Sequence, residues 1–304
     1  MKRLNDYDDV FKTMKFRHAK FFISAINYAF GTDYPLDVKA ENITTEGYLQ
    51  NQQSDGMIKI NGLDSDMVLK INGLPYLMEC QAYEDGAIAL RIAEYSFVAA
   101  MKNAVISDGS VEMTFPRYAV VYVKSTKNTP KTTHITFVFP DGQKVYYSSD
   151  NIFIKDMTKE CIIKKKMYAF IPFYITRYEK ELSKKNGNLD AAIADLEYFR
   201  DCILASTVEG ELSGSEASDL IGYINNIICH ITDGNENERK LVQVMGGEII
   251  ESLSEKIARE AGEKAENRLI KLNSLLIEEN RFEDLTRATK DDAFRKSLYA
   301  EFNI

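Results

Sequence analysis

The hydrophobic positions recur with two different periods, and the change of period divides the chain. Between residues 6 and 30, Val10, Phe11, Met14, Phe21, Phe22, Ala25 and Ile26 fall near the helical spacing, with Asn5 or Asp6 as N-cap and Gly31 as the stop. Tyr34-Pro35 then leads into loop, because the residue before a proline is pushed out of the helical region. Residues 41–53 are polar and turn-rich. Short strand-like runs follow at Met57 to Ile60, Met67 to Ile71 and Tyr76 to Gln81, separated by Asn61-Gly62 and Asn72-Gly73. Asn-Gly is the dipeptide that most favours a tight turn between antiparallel strands, so the pattern predicts a meander.

Residues 86–104 carry Ala87, Ile88, Leu90, Ile92, Ala93, Phe97, Val98 and Met101, the apolar content of a helix laid on a sheet. An uninterrupted strand signal, Tyr118 to Val123, comes next, and Thr133 to Phe139 with Gln143 to Tyr147 reads as a hairpin about Pro140-Asp141-Gly142. Beyond Asp156 the period becomes helical over 156–185, 189–207, 215–232 and 236–280, broken at Asn186-Gly187, Gly210 to Gly214 and Asp233-Gly234. The predicted class is α/β. A core of mixed sheet flanked by helices occupies 1–155, a helical region 156–235, and a charged C-terminal helical region 236–304. Within the last, residues 254–268 show a thin apolar seam that suits a homodimer helix, or equally a solvated surface helix.

Composition narrows the partners. With 304 residues, 45% of them hydrophobic, the chain is long enough for one large folded domain or two smaller ones. No run approaches the ~18 apolar residues of a spanning helix, and Met1-Lys2-Arg3-Leu4-Asn5-Asp6 lacks a signal-peptide core, so a soluble cytoplasmic protein with no membrane partner is expected. Cys80, Cys161, Cys202 and Cys229, like His18, His134 and His230, are scattered without zinc-site spacing, so any metal must be held by oxygen. The net charge of −8 opposes a broad grip on nucleic acid but leaves room for a small basic channel.

One group of residues has chemistry in its spacing. If the hairpin loop is centred on Gly73 and Leu74, Asp66 faces Gln81 directly, and Glu79 shares their face because side chains alternate along a strand. Two carboxylates and an amide would then cradle Mg²⁺, with Mn²⁺ as a second candidate, since both take carboxylate and water oxygens. Such a metal activates water for phosphodiester hydrolysis, and Gln81 would orient that water. The competing reading makes all three solvent-facing strand residues. Cys80 falls on the opposite strand face and reads as buried.

Tyr7-Asp8-Asp9-Val10-Phe11-Lys12, Ser65-Asp66, Tyr76-Leu77-Met78-Glu79-Cys80-Gln81 and Asp85-Gly86-Ala87-Ile88-Ala89-Leu90-Arg91-Ile92-Ala93-Glu94-Tyr95, in this order, resemble the PD-(D/E)XK nuclease superfamily. More narrowly they are similar to its recombination-promoting nuclease and transposase branch, in which E-x-Q replaces E-x-K. The order helix, three strands, helix, strand agrees with a restriction-endonuclease-like core, and the similarity extends through Ala169-Phe170-Ile171-Pro172-Phe173-Tyr174 and the charged C-terminal helix. The resemblance implies Asp66 and Glu79 as metal ligands, Gln81 in the place of the catalytic lysine, and Asp8 as a supporting acidic position. Asp64 and Asp55 compete with Asp66 for the aspartate role.

Arg91 and Tyr95 are four apart on the predicted helix and share a face, as a phosphate contact or as ordinary surface. Lys12, Lys15, Arg17 and Lys20 make the first helix locally basic and a candidate DNA contact. Lys164-Lys165-Lys166 reads as a solvated face, and His18 as a structural hydrogen-bonding group. The expected activity is that of a Mg²⁺-dependent DNA endonuclease acting in DNA recombination, mobile elements or defence. The rivals are a degenerate nuclease fold that binds DNA or protein, and an assembly role for the helical half.

Overall fold

The computed structural model describes residues 7–43, 67–82, 86–185, 187–246, 267–279, 281–289 and 291–302. The chain forms two units, Met1–Gly246 and Gly247–Ile304. The first is an α/β unit whose main sheet has, among the described residues, five strands in the order β1-β2-β3-β6-β9. These are β1 (Ala40–Asn42), β2 (Met67–Ile71), β3 (Leu74–Gln81), β6 (Arg117–Tyr122) and β9 (Ile152–Phe153). β1, β2 and β3 run antiparallel, whereas β6 is parallel to β3 and β9 parallel to β6. The sheet is therefore mixed.

The β2–β3 turn is made by Asn72 and Gly73, both with positive φ, at 50° and 83°. That closes the strands on a two-residue loop, with Ile71 opposite Leu74 and Met67 opposite Met78. The expected loop centred on Gly73 and Leu74 is thus displaced by one residue, because Leu74 is already extended and paired. The expected pairing of Asp66 with Gln81 falls on Asp66, which lies outside the described residues, as do Asp64, Asp55 and the strand expected at 57–60.

Joining β3 to a parallel neighbour needs a crossover of a dozen or more residues, and α3 (Ile88–Lys102) supplies it. Its stripe of Ile88, Ile92, Tyr95 and Ala99 buries against Val68, Leu77, Tyr118, Val120 and Tyr122. Because strand side chains alternate, Glu79 and Gln81 share the α3-facing side with Leu77. The other side carries Tyr76, covered by Phe30 at 5.2 Å and hydrogen-bonded to Tyr34 at 2.7 Å. Cys80 is fully buried there, as its parity required.

The helix expected over 6–30 is interrupted. α1 (Tyr7–Arg17) and α2 (Ile23–Phe30) flank a 3-10 turn, Ala19–Phe22. His18 leaves the helical region (φ −140°, ψ 63°), and its imidazole meets Asp219, two hundred residues further along the chain, at 2.7 Å. A tertiary contact thus overrides the local period. Two hairpins extend from the sheet, β4 (Val105–Ser107) with β5 (Ser110–Glu112), and β7 (Thr132–Val138) with β8 (Lys144–Asp150). Tyr118 pins the second by donating to the carbonyls of Thr133 at 2.6 Å and Tyr147 at 3.2 Å.

Residues 156–185 fold as a string of short helical pieces, including α4 (Lys159–Lys164), α5 (Ile171–Tyr174) and α6 (Glu179–Leu182). Lys166 adopts φ 54°, which ends α4, and Pro172 starts the next turn. Longer helices follow: α7 (Asp190–Val208), α8 (Gly214–Thr232) and α9 (Glu236–Val244). A reciprocal capping box between Ser213 and Glu216 opens α8. Helix α5 packs on α8, and α1 packs on both β3 and α8, so this helical region belongs to the same unit as the sheet.

The second unit contains a helical stretch 267–278 (α10), α11 (Phe282–Ala288) and α12 (Asp292–Glu301). Leu272, Leu276, Ala288 and Leu298 form its own buried core. Most of the expected dimer seam, 254–268, lies outside the described residues. No helix among the described residues is long and apolar enough to cross a membrane.

Candidate functional site

The C-terminal end of β3 places two polar side chains where apolar ones would be expected. Glu79 is 3% exposed and Gln81 6%, opposite Val120 and Tyr122 of the parallel neighbour. A carboxylate so placed is costly unless it is paired. Its partner comes from α3, where Arg91 Nη2 lies 3.3 Å from Glu79 Oε1. The Arg91 side chain is 34% exposed, so the pair runs from the sheet towards the surface. Gln81 donates from Nε2 to the carbonyl of Cys80 at 2.9 Å, which leaves Oε1 as its acceptor end.

The first helix reaches the same end of the sheet. Tyr7 lies beneath the Lys124 ammonium, 4.7 Å from ring centre to Nζ, and Lys124 follows β6 by two residues. The amide of Val123 donates to the Gln81 carbonyl at 2.9 Å. Asp8 is the next residue after Tyr7 in the first turn of α1, and Lys12 lies one turn on. Tyr95 shares the α3 face with Arg91 but is only 6% exposed and packs in the core. Of that pair, Arg91 carries the ion pair to the carboxylate.

Glu79 and Gln81 offer two oxygens of the kind a hard cation takes, on one strand face. Among the described residues no group of three His, Cys, Asp or Glu side chains could hold a metal ion. The described donors fit at most part of an oxygen-ligand site.

Most of the basic charge singled out in the sequence is internally engaged. Arg17 pairs with Asp219 at 3.3 Å, Lys20 with Glu216 at 3.4 Å, and Lys166 with Glu211. Lys15 is buried, and Lys165 lies over the Tyr28 ring at 5.5 Å. His18 bonds Asp219, the structural role expected of it.

A second polar cluster has no local signature in the sequence: buried Asp195 accepts from Lys159 and Tyr178, each at 2.5 Å. Burial alone would raise the Asp195 pKa, but these two bonds outweigh it and hold the carboxyl below its ordinary range. Its three members are 17 and 36 residues apart, so no local motif announces them.

No protein-family model matches the chain, and no curated protein and no solved structure matches it.

Proposed function

We propose that this protein is a metal-dependent DNA endonuclease with a restriction-endonuclease-like core, centred on Glu79 and Gln81. The observation that carries the reading is the buried Glu79–Gln81 pair on one face of β3, with the Arg91 guanidinium at the carboxylate. The order of elements supports it: an N-terminal helix, β1-β2-β3, the α3 crossover, then β6 parallel to β3. Of the helix, three strands, helix, strand order implied by the sequence resemblance, the helix, the strands at 67–71 and 76–81, the crossover helix and the later strand have counterparts, while the expected strand at 57–60 lies outside the described residues and β1 lies at 40–42.

In this reading Glu79 is a metal ligand, with Asp66 as the second carboxylate. Bound Mg²⁺ or Mn²⁺ supplies an activated water and offsets charge on the phosphoryl oxygens. Gln81 Oε1 would accept a hydrogen bond from the attacking water and orient it. Since an amide bears no charge, Arg91 provides the fixed positive charge beside the reacting phosphate, where a guanidinium can bond two oxygens at once. Asp8 supports the site from the start of α1.

A second reading has one observation in its favour. The Arg91–Glu79 pair satisfies the carboxylate without a metal, as a degenerate fold acting as a DNA- or protein-binding module would require. Nicking of supercoiled plasmid separates the two. The endonuclease reading expects Mg²⁺- or Mn²⁺-dependent nicking that falls at least about 100-fold in Glu79→Ala. Wild-type protein that shifts DNA but leaves it intact with both metals establishes the binding module.

A further inference from the structure

We infer that the loop 124–131, together with Lys155, is the surface on which the backbone of duplex DNA lies when it enters the Glu79 site. The inference rests on the nuclease reading above and assigns the substrate's docking surface.

Position comes first. The loop leaves β6 beside Gln81, since Tyr122 is the register partner of Gln81 and Val123 donates to its carbonyl. Lys127 is five residues beyond Tyr122, at most about 18 Å of chain. With one phosphate per ~3.4 Å of axis along a strand, Lys127 can reach backbone within about five nucleotides of a phosphate held at Glu79.

The loop is also held in shape. The Thr126 amide donates to Thr129 Oγ1 at 2.9 Å, and the Asn128 amide to Thr126 Oγ1 at 3.1 Å. Asn151 clamps the far end, its side chain bonding the Pro130 carbonyl at 2.9 Å and its amide the Lys131 carbonyl at 2.8 Å. Lys155 Nζ reaches the Ser125 carbonyl at 3.3 Å, which ties the segment after β9 to the loop. A pre-ordered loop loses little entropy when its side chains bind.

Charge decides the assignment. Lys127, Lys131 and Lys155 are exposed, and none makes an ion pair among the described residues. Lys124, at the root of the loop, is instead held by Glu179 at 2.7 Å. The first helix and the Lys164–Lys166 run, the obvious basic candidates, have much of their charge engaged as described above. Asp150, beside the loop, accepts from Thr132 at 3.0 Å. On a chain of net charge −8, attraction of a polyanion has to be local. Lysines set among Ser125, Thr126 and Asn128 are the residue types that contact phosphate oxygens without reading sequence.

The test is fluorescence anisotropy with a labelled duplex, without divalent metal, across a salt series. Lys127→Ala/Lys131→Ala/Lys155→Ala should weaken binding at least about tenfold and reduce the slope of log K against log salt by about 2 to 3. Arginine at the same three positions should restore both. Lys39→Ala/Lys144→Ala/Lys240→Ala removes equal charge elsewhere and should leave the slope near wild type. An unchanged slope in the loop variant, or an equal loss in the control, overturns this surface while leaving the nuclease reading standing. Wild-type protein that binds no duplex in this metal-free assay overturns this surface, while the nuclease reading stands or falls on metal-dependent nicking.

Discussion

Arg91 Nη2 lies 3.3 Å from Glu79 Oε1, so the crossover helix meets β3 at its most costly buried group. Removing the guanidinium takes an ion-pair partner from a carboxylate that is only 3% exposed as a residue. Because Arg91 itself reaches solvent, water offsets part of that loss, and Arg91→Ala should cost about 1 to 3 kcal/mol in urea denaturation. Arg91→Lys should recover part of the stability without the two-pronged geometry. If Arg91→Ala proves as stable as wild type, the pair does not compensate the burial of Glu79.

Asp195 gives a pH dependence with a definite sign. Burial pushes its pKa up, but the bonds from Lys159 and Tyr178 bring it below the ordinary 3.8. A depressed carboxyl contributes stability that is complete above the unfolded value and is lost as pH falls through the folded one. Stability should therefore hold from neutrality to about pH 5 and decline below pH 4. Asp195→Asn should lose about 2 kcal/mol at pH 7 and show a shallower acid limb in the urea midpoint. A variant with an unaltered acid limb would remove Asp195 from that role.

Gly73 sits at φ 83° in the turn that sets the β2–β3 register. Alanine there meets no side-chain obstacle, so its effect is backbone strain alone. Gly73→Ala should cost about 1 kcal/mol, while Asn72→Gly changes little, because glycine accepts positive φ. Thermal unfolding of the two variants checks the contrast, and an equal effect at both positions would argue against this turn type.

Tyr118 holds the β7–β8 hairpin through two carbonyls, and burial raises its phenol pKa to about 12, so it stays a neutral donor. Tyr118→Phe leaves those acceptors short of a donor, at a cost of about 1 to 2 kcal/mol. Hydrogen exchange should speed up in β7 and β8 more than in β3. Uniform acceleration across the sheet would mean the hairpin is not anchored separately.

What was legible in the sequence follows from how much each element depends on burial. The stripe Ile88, Ile92, Tyr95, Ala99 packs against Tyr118, Val120 and Tyr122 of the run Tyr118 to Val123, so both elements are written in apolar residues. β1, β4 and β5 are three residues long and mostly exposed, and carry no such period. The break at His18 depends on Asp219, two hundred residues away, which no local window contains. The Asn72-Gly73 turn was legible as a dipeptide, but its register depended on whether Leu74 belongs to turn or strand. At the site, alternation put Glu79 and Gln81 on one face and Cys80 on the other. It did not reveal that the polar face is buried under α3, because that depends on the crossover. The quenching of Arg17, Lys20 and Lys166 by acids far along the chain was equally invisible, and it leaves Lys127, Lys131 and Lys155 as exposed lysines without an ion pair among the described residues.

Metal-dependent nicking of supercoiled plasmid by wild type, Glu79→Ala and Glu79→Gln bears most directly on the chemistry assigned to β3. Wild type should nick with Mg²⁺ or Mn²⁺ and stop on chelation, while both variants, folded by circular dichroism, should lose at least about 100-fold. Equal nicking by wild type and the Glu79 variants, or none by wild type with either metal, would contradict a catalytic role for Glu79.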